Sequence, residues 1–217
     1  MSQRADISLC EAVRTRKPVA GLSHSFYRYP ARFSPLFVRA AVEAFTKPGD
    51  VVFDPFMGGG TTLVEASAAG RSAIGTDINS LAVFVSKAKT TVLAEEDLAT
   101  IRIWGYSLMP ALNLHRPHVP PIKWAELGYQ RNLTGRNTWA IRKLLELALA
   151  QVDDLRKPKQ RRFARCVLLK TAQWALDYRK TIPSAAMFRA EFLWKLEQML
   201  EGARTSSESF LIRCDLN

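Results

Sequence analysis

Cysteine is scarce in this chain: Cys10, Cys166 and Cys214 are its three, odd in number and far apart. Such a set argues against a disulfide framework or a thiolate metal centre and fits a reducing cytoplasm. Histidine is equally rare. His115 and His118 stand in a proline-rich stretch with no cysteine nearby, so a surface loop is expected there and no metal site. No apolar run approaches the length of a membrane span, and Met1 to Glu11 lacks the profile of a signal peptide, so no membrane partner is expected. Acid is in deficit, with 20 Asp and Glu against 31 Lys and Arg, and the net charge of +11 favours a polyanionic partner. The 217 residues, 47% of them hydrophobic, suffice for a sizeable core in a soluble globular protein.

Glycine, by contrast, is concentrated where it carries information. Asp54-Pro55-Phe56-Met57-Gly58-Gly59-Gly60-Thr61-Thr62 follows the β-branched and aromatic run Val51-Val52-Phe53, which the turn residues Pro48-Gly49-Asp50 set off. Thr61-Thr62 opens a helix, Leu63 to Ala69, and Gly70 suits a left-handed cap. Ser72 to Thr76 reads as a second strand that delivers Asp77 to the carboxyl edge of the sheet, where ligands bind in α/β folds. A carboxylate there can accept both hydroxyls of a ribose, each charge-assisted bond contributing roughly 1.5–3 kcal/mol. A phosphate loop of the NTPase kind is a poor reading, because Gly60 is followed by Thr61 and no Lys stands in the loop or the helix behind it. The dinucleotide fingerprint fails too, since Leu63 occupies the place of its third small residue. A glycine-rich turn without a ligand is the plain alternative, but three glycines are costly in backbone entropy to keep without a use.

Asp-Pro-Phe-x-Gly-x-Gly-Thr-Thr resembles motif I of the S-adenosylmethionine-dependent DNA amino-methyltransferases, which modify N4 of cytosine or N6 of adenine. The resemblance implies a partial Rossmann-like α/β sheet of the class I methyltransferase kind. It also implies S-adenosylmethionine as cofactor, DNA as partner, and a place in DNA methylation and restriction–modification. The motif I loop wraps the methionine part of the cofactor and the acid after the second strand binds the ribose. These roles carry to Asp54, Pro55, Phe56, Gly58, Gly60 and Thr61, and to Asp77, with Ile78 against the adenine ring. Upstream, Tyr29-Pro30-Ala31-Arg32-Phe33-Ser34-Pro35 is similar to the family's motif X, H-P-A-K/R-F-P, which closes over the methionine end. Tyr29, Pro30 and Phe33 take that role, although Tyr29 replaces the usual His and Ser34 is inserted before the proline. The same stretch is a helix start, with Ser34 as N-cap, Pro35 in the first turn and Val38, Ala41, Val42 and Phe45 on one apolar face. The resemblance covers roughly residues 24 to 90.

The family's catalytic motif, Asp, Asn or Ser followed by Pro-Pro and an aromatic residue, is absent. The chain's one Pro-Pro pair, Pro120-Pro121, lies between Val119 and Ile122, neither of which can accept a bond from an amine or stack on a base. After Asp77 only Thr100 to Tyr106 reads as a third strand, where a doubly wound sheet needs five to seven. The order of motifs implies that the catalytic strand comes last. The expectation is an amino-terminal portion of a longer methyltransferase, truncated or split, with a second polypeptide carrying the missing motif as one form of this. No catalytic residue is assigned.

The rest reads as helical. Asn137 or Thr138 caps a helix with Ile141, Leu144, Leu145, Ala148, Leu149 and Val152 in the helical period; Phe163 to Leu176 is apolar nearly all round; Ser184 caps a third with Phe188, Phe192, Leu196 and Met199 on one side. Trp139, Trp174 and Trp194 are expected in the core. The basic run Arg156, Lys157, Lys159, Arg161 and Arg162, with Arg165 one turn on, is a solvated loop if taken alone and a phosphate-contacting segment beside a DNA-methyltransferase loop. The expected organisation is a cofactor-binding half over 1–107, a proline-rich linker over 108–122, a helical and target-recognition region over 123–203, and a polar tail over 204–217. An RNA amino-methyltransferase and a non-catalytic binding subunit are the competing readings. A substrate assay on duplex DNA against structured RNA separates the first, and the missing motif favours the second.

Overall fold

The computed structural model describes residues 3–15, 21–30, 32–115, 138–177 and 181–212, which form two compact units, residues 1–94 with 201–217 and residues 95–200. Ala31, His118, Pro120-Pro121 and Asn137, and with them residues 116–122 of the expected linker, lie outside the described residues.

The first unit is built on one βαβ element. Strands β1 (Val51–Asp54) and β2 (Ser72–Gly75) are parallel neighbours, Val51 opposite Ser72 and Asp54 opposite Gly75. Helix α3 (Thr61–Ala68) connects them, and Gly70 takes the left-handed conformation (φ 77°) that ends the helix before β2. Helix α1 (Gln3–Arg14), a 3-10 turn (His24–Phe26) and helix α2 (Pro35–Phe45) precede β1, and helix α4 (Ser80–Lys89) follows β2. Successive strand residues point to opposite faces. One face, bearing Val52 and Ala73, is covered by Val38 and Val42 of α2 and Ala66 and Ala69 of α3. The other bears Val51, Phe53 and Ile74, all exposed. On the far side of α3, Val64 and Ala68 join Leu22 and Phe210 in a second cluster. Ser34 stands at the N-cap of α2 with Pro35 behind it, as its residue type suggests, but its hydroxyl makes no capping bond. The buried side of α2 is Val38, Ala40 and Val42, and Phe45 is exposed.

The second unit is helical: α5 (Glu95–Ser107), α6 (Trp139–Ala150), a 3-10 turn (Val152–Asp154), α7 (Pro158–Leu176) and the first part of α8 (Ala185–Ile212). The expected strand over 100–106 is therefore a helix. Its first turn carries Glu95, Glu96 and Asp97, which complement the positive end of the helix dipole, and its buried side is Leu98, Ile101 and Trp104 at helical spacing. Among the described residues the sheet has two strands, and the chain is mixed α/β and mostly helical. Ser184 caps α8 through a bond from the Met187 amide (3.2 Å), and Phe188, Phe192, Leu196 and Met199 are fully buried, as their spacing indicates. The segment 204–212, expected to carry no element, forms the last turns of α8, with Ser206, Ser207 and Phe210 on its buried side. Two expected core tryptophans are not in the core: Trp139 is 45% and Trp194 54% exposed, each ring lying beside a lysine ammonium (Lys143 at 5.4 Å, Lys195 at 5.3 Å). Among the described tryptophans Trp104 is the buried one, its indole N–H bonded to the Gln151 carbonyl (2.9 Å). No described helix is long and apolar enough to cross a membrane.

Candidate functional site

The carboxyl edge of the two strands is where the sequence-derived residues meet. Beyond the strands the chains stay paired, the Thr76 amide donating to the Asp54 carbonyl and the Met57 amide to the Thr76 carbonyl, both at 3.0 Å. This brings the glycine loop beside the start of the next connection. Asp54 ends β1, and its Oδ1 accepts the Phe56 amide (3.1 Å) in the local turn that Asp favours. Pro55 is exposed, and its carbonyl accepts the Thr76 hydroxyl (3.0 Å). Gly58 (φ 47°) and Gly60 (φ 74°) have left-handed backbone, and a Cβ on Gly60 would stand 2.6 Å from Ser86 Oγ. Thr61, buried, is the first residue of α3.

Asp77 is held by two backbone amides. Oδ2 accepts from Gly58 (2.9 Å) and Oδ1 from Asn79 (2.8 Å), so the carboxylate is aimed while each oxygen keeps a second lone pair for a ligand hydroxyl. Phe56, 87% exposed, and the wholly exposed Ile78 stand on the same edge and offer apolar surface to a planar base. Tyr29 is half-buried against the loop: its ring carbon Cε1 would lie 3.4 Å from a Cβ on Gly58, and its hydroxyl accepts from Asn79 Nδ2 (3.2 Å). Asn79 also caps α4, accepting the Leu81 amide at 2.9 Å. Pro30 is exposed, and exposed Phe33 leans on Phe37 with ring centroids 5.9 Å apart.

Two groups of buried polar residues back this site and were not singled out from the sequence. Ser86 donates to the Gly58 carbonyl (3.1 Å) and Lys89 to the Gly59 carbonyl (2.7 Å). Ala82, Val85, Ser86 and Lys89 follow the period of a buried helix stripe, so two polar residues at apolar positions were the available signal. In the second group, His24 Nε2 lies 2.5 Å from Glu65 Oε1 and Arg39 Nε donates to Glu65 Oε2 (2.6 Å). Burial raises the Glu65 carboxyl, but the bonds from His24 and Arg39 and their charges outweigh it and hold the group below its ordinary range. Glu65 is thus ionised, and His24 Nε2 is the donor.

In the second unit the basic run begins α7 instead of forming a free loop. Lys157 and Lys159 are paired with Asp97, fully buried, which also accepts from Gln160 Nε2 (2.9 Å). Bonds from Lys157 to Glu96 and Asp97 raise the Lys157 ammonium above its ordinary value. Arg161 donates to the carbonyls of Leu155 (3.0 Å) and Arg156 (3.3 Å), and Arg165 to Asp153 (3.4 Å). Arg156 is exposed and Arg162 half-buried. Among the described residues no cluster of His, Cys, Asp and Glu could hold a metal ion.

Residues 10–87 match the family model of the DNA methylases of the N6/N4 methyltransferase kind. The chain is 42% identical over 81 residues to the Type II methyltransferase M.MvaI of Kocuria varians, a match covering 36% of this chain and 18% of that protein. It is 35% identical over 66 residues to the Type II methyltransferase M.MjaII of Methanocaldococcus jannaschii, covering 30% of this chain and 12% of the relative. The chain thus matches less than a fifth of the length of either relative. No solved structure matches. The glycine loop, Asp77 and the segment around Tyr29 all fall inside the matched stretch, and over that stretch the chain is similar to the DNA amino-methyltransferases.

Proposed function

We propose that the first unit binds S-adenosylmethionine as part of a DNA methyltransferase acting on an exocyclic amine, N4 of cytosine or N6 of adenine. The observation that carries the reading is the aimed Asp77 carboxylate beside a loop in which Gly59 and Gly60 leave no room for a Cβ. The donor set fits the cofactor. Asp77 accepts ribose hydroxyls, Phe56 and Ile78 cover the adenine, and the loop from Asp54 to Thr61 with Tyr29, Pro30 and Phe33 holds the methionine part. When bound, the cofactor supplies the methyl group. The residues of this chain bind and orient it and keep water off its methionine end. The second unit faces the nucleic acid, with the exposed Arg156, at the head of the basic run before α7, on phosphates.

Methyl transfer also needs groups that accept bonds from the target amine and hold its base, and no Asp, Asn or Ser followed by Pro-Pro and an aromatic residue occurs in the 217 residues. Calorimetric titration with S-adenosylmethionine tests the proposal. Binding that Asp77→Ala weakens by roughly tenfold or more, as loss of charge-assisted bonds implies, supports it; a folded wild-type chain that binds nothing overturns it.

A further inference from the structure

We propose that Ser86, with Lys89 holding the next peptide, is a positioning residue that sets the polarity of the glycine loop so that the Gly59 amide faces the ligand's carboxylate. The inference rests on the cofactor reading above. Lys89 closes α4, is 2% exposed, and sends its ammonium under the loop to the Gly59 carbonyl at 2.7 Å. Ser86, one turn earlier and equally buried, takes the Gly58 carbonyl at 3.1 Å. The contact is close, since a Cβ on Gly60 would meet Ser86 Cβ at 2.9 Å and Cα at 3.1 Å. Helix α4 therefore draws two successive loop carbonyls toward itself.

A trans peptide carries its C=O and N–H on opposite sides. Turning the Gly58 carbonyl toward α4 turns the Gly59 N–H away from it. The other loop amides are used within the loop's own structure: Met57 by Thr76 O (3.0 Å), Gly58 by Asp77 Oδ2 (2.9 Å) and Gly60 by Met57 O (2.7 Å). The Gly59 N–H donates to no described residue, and it is the amide whose direction Ser86 decides; Lys89, on the Gly59 carbonyl, fixes the next peptide, whose Gly60 N–H bonds Met57. An N–H held in advance in this way suits an anionic acceptor, because its dipole needs no reorientation on binding. The anionic acceptor of this cofactor is the carboxylate of its methionine part. Asp77, by contrast, serves the nucleoside part.

Two ligands separate the roles. S-adenosylhomocysteine carries both parts, and 5′-methylthioadenosine lacks the amino and carboxylate groups. In the full 217-residue chain, Ser86→Ala is expected to weaken S-adenosylhomocysteine about tenfold while 5′-methylthioadenosine changes less than about threefold. Lys89→Met, which releases the next peptide of the same loop, reproduces the selective defect in smaller measure, and Lys89→Gln, which keeps a donor without the charge, restores most of that loss. Thermal melts of each variant identify any that do not fold, and Ser86→Ala then carries the test. Equal loss of both ligands in a folded variant, or no loss of either, overturns the assignment. A folded wild-type chain that binds neither ligand overturns the cofactor reading and this inference with it.

Discussion

Glu65 shows what a single side chain does in this unit. Its carboxylate sits in the interior between His24 and Arg39, and the three side chains come from the 3-10 turn, α2 and α3. A buried ionised group is tolerated only when paired and hydrogen-bonded, and removing one partner strands the others. Glu65→Gln is expected to cost about 3 kcal/mol at neutral pH, read from urea unfolding midpoints. The acid side follows from the same pair. The folded carboxyl lies below its ordinary 4.5, so its stabilisation is complete above that pH and is lost as the pH falls through the folded value. The wild type should therefore lose more stability than Glu65→Gln between pH 5 and 3, and parallel loss in the two proteins would refute this account.

Among the elements, α5 and α7 show how a charge run can mislead. Lys157 and Lys159 are drawn onto the buried Asp97, and Arg161 and Arg165 onto nearby carbonyls and a carboxylate, so much of the run holds the helical unit together. Asp97→Ala is expected to destabilise this unit by about 3 kcal/mol, because two ammonium groups and Gln160 lose their shared acceptor; chemical denaturation followed by circular dichroism measures it. For binding, the exposed Arg156 is the better candidate. Arg156→Ala should lower duplex affinity at all sequences alike and reduce the slope of log K against log salt by about 0.9, whereas Lys157→Ala should leave the slope nearly unchanged. The strand expected over Thr100 to Tyr106 belongs to the same comparison. Ile101 and Ile103 alternate with polar residues as a strand would, yet the three acids at 95–97 and the spacing of Leu98, Ile101 and Trp104 specify a helix, and burial of that side decides it.

For the whole chain the expected behaviour is binding without turnover. The 217 residues should bind S-adenosylmethionine and, more weakly as salt rises, duplex DNA. Incubation with methyl-labelled cofactor and duplex DNA or structured RNA should leave both unlabelled; transfer by the pure chain would contradict the role assigned to the missing motif. The local parts of this picture were legible in the sequence. Gly58, Gly60 and Gly70 take left-handed backbone, the two strands and the helix between them lie where turn residues and periodicity put them, and Asp77 meets the loop. Those features depend on neighbours in the chain and on the register of one βαβ connection. The tertiary structure alone decided the rest. Lys89 reaches Gly59 across 30 positions, Glu65 reaches His24 across 41, and Lys157 reaches Glu96 across 61. A lysine reads as solvated until a carbonyl is found over it, and a tryptophan reads as core until packing leaves it outside. Burial and pairing are properties of what surrounds a side chain in space, and no local pattern specifies them.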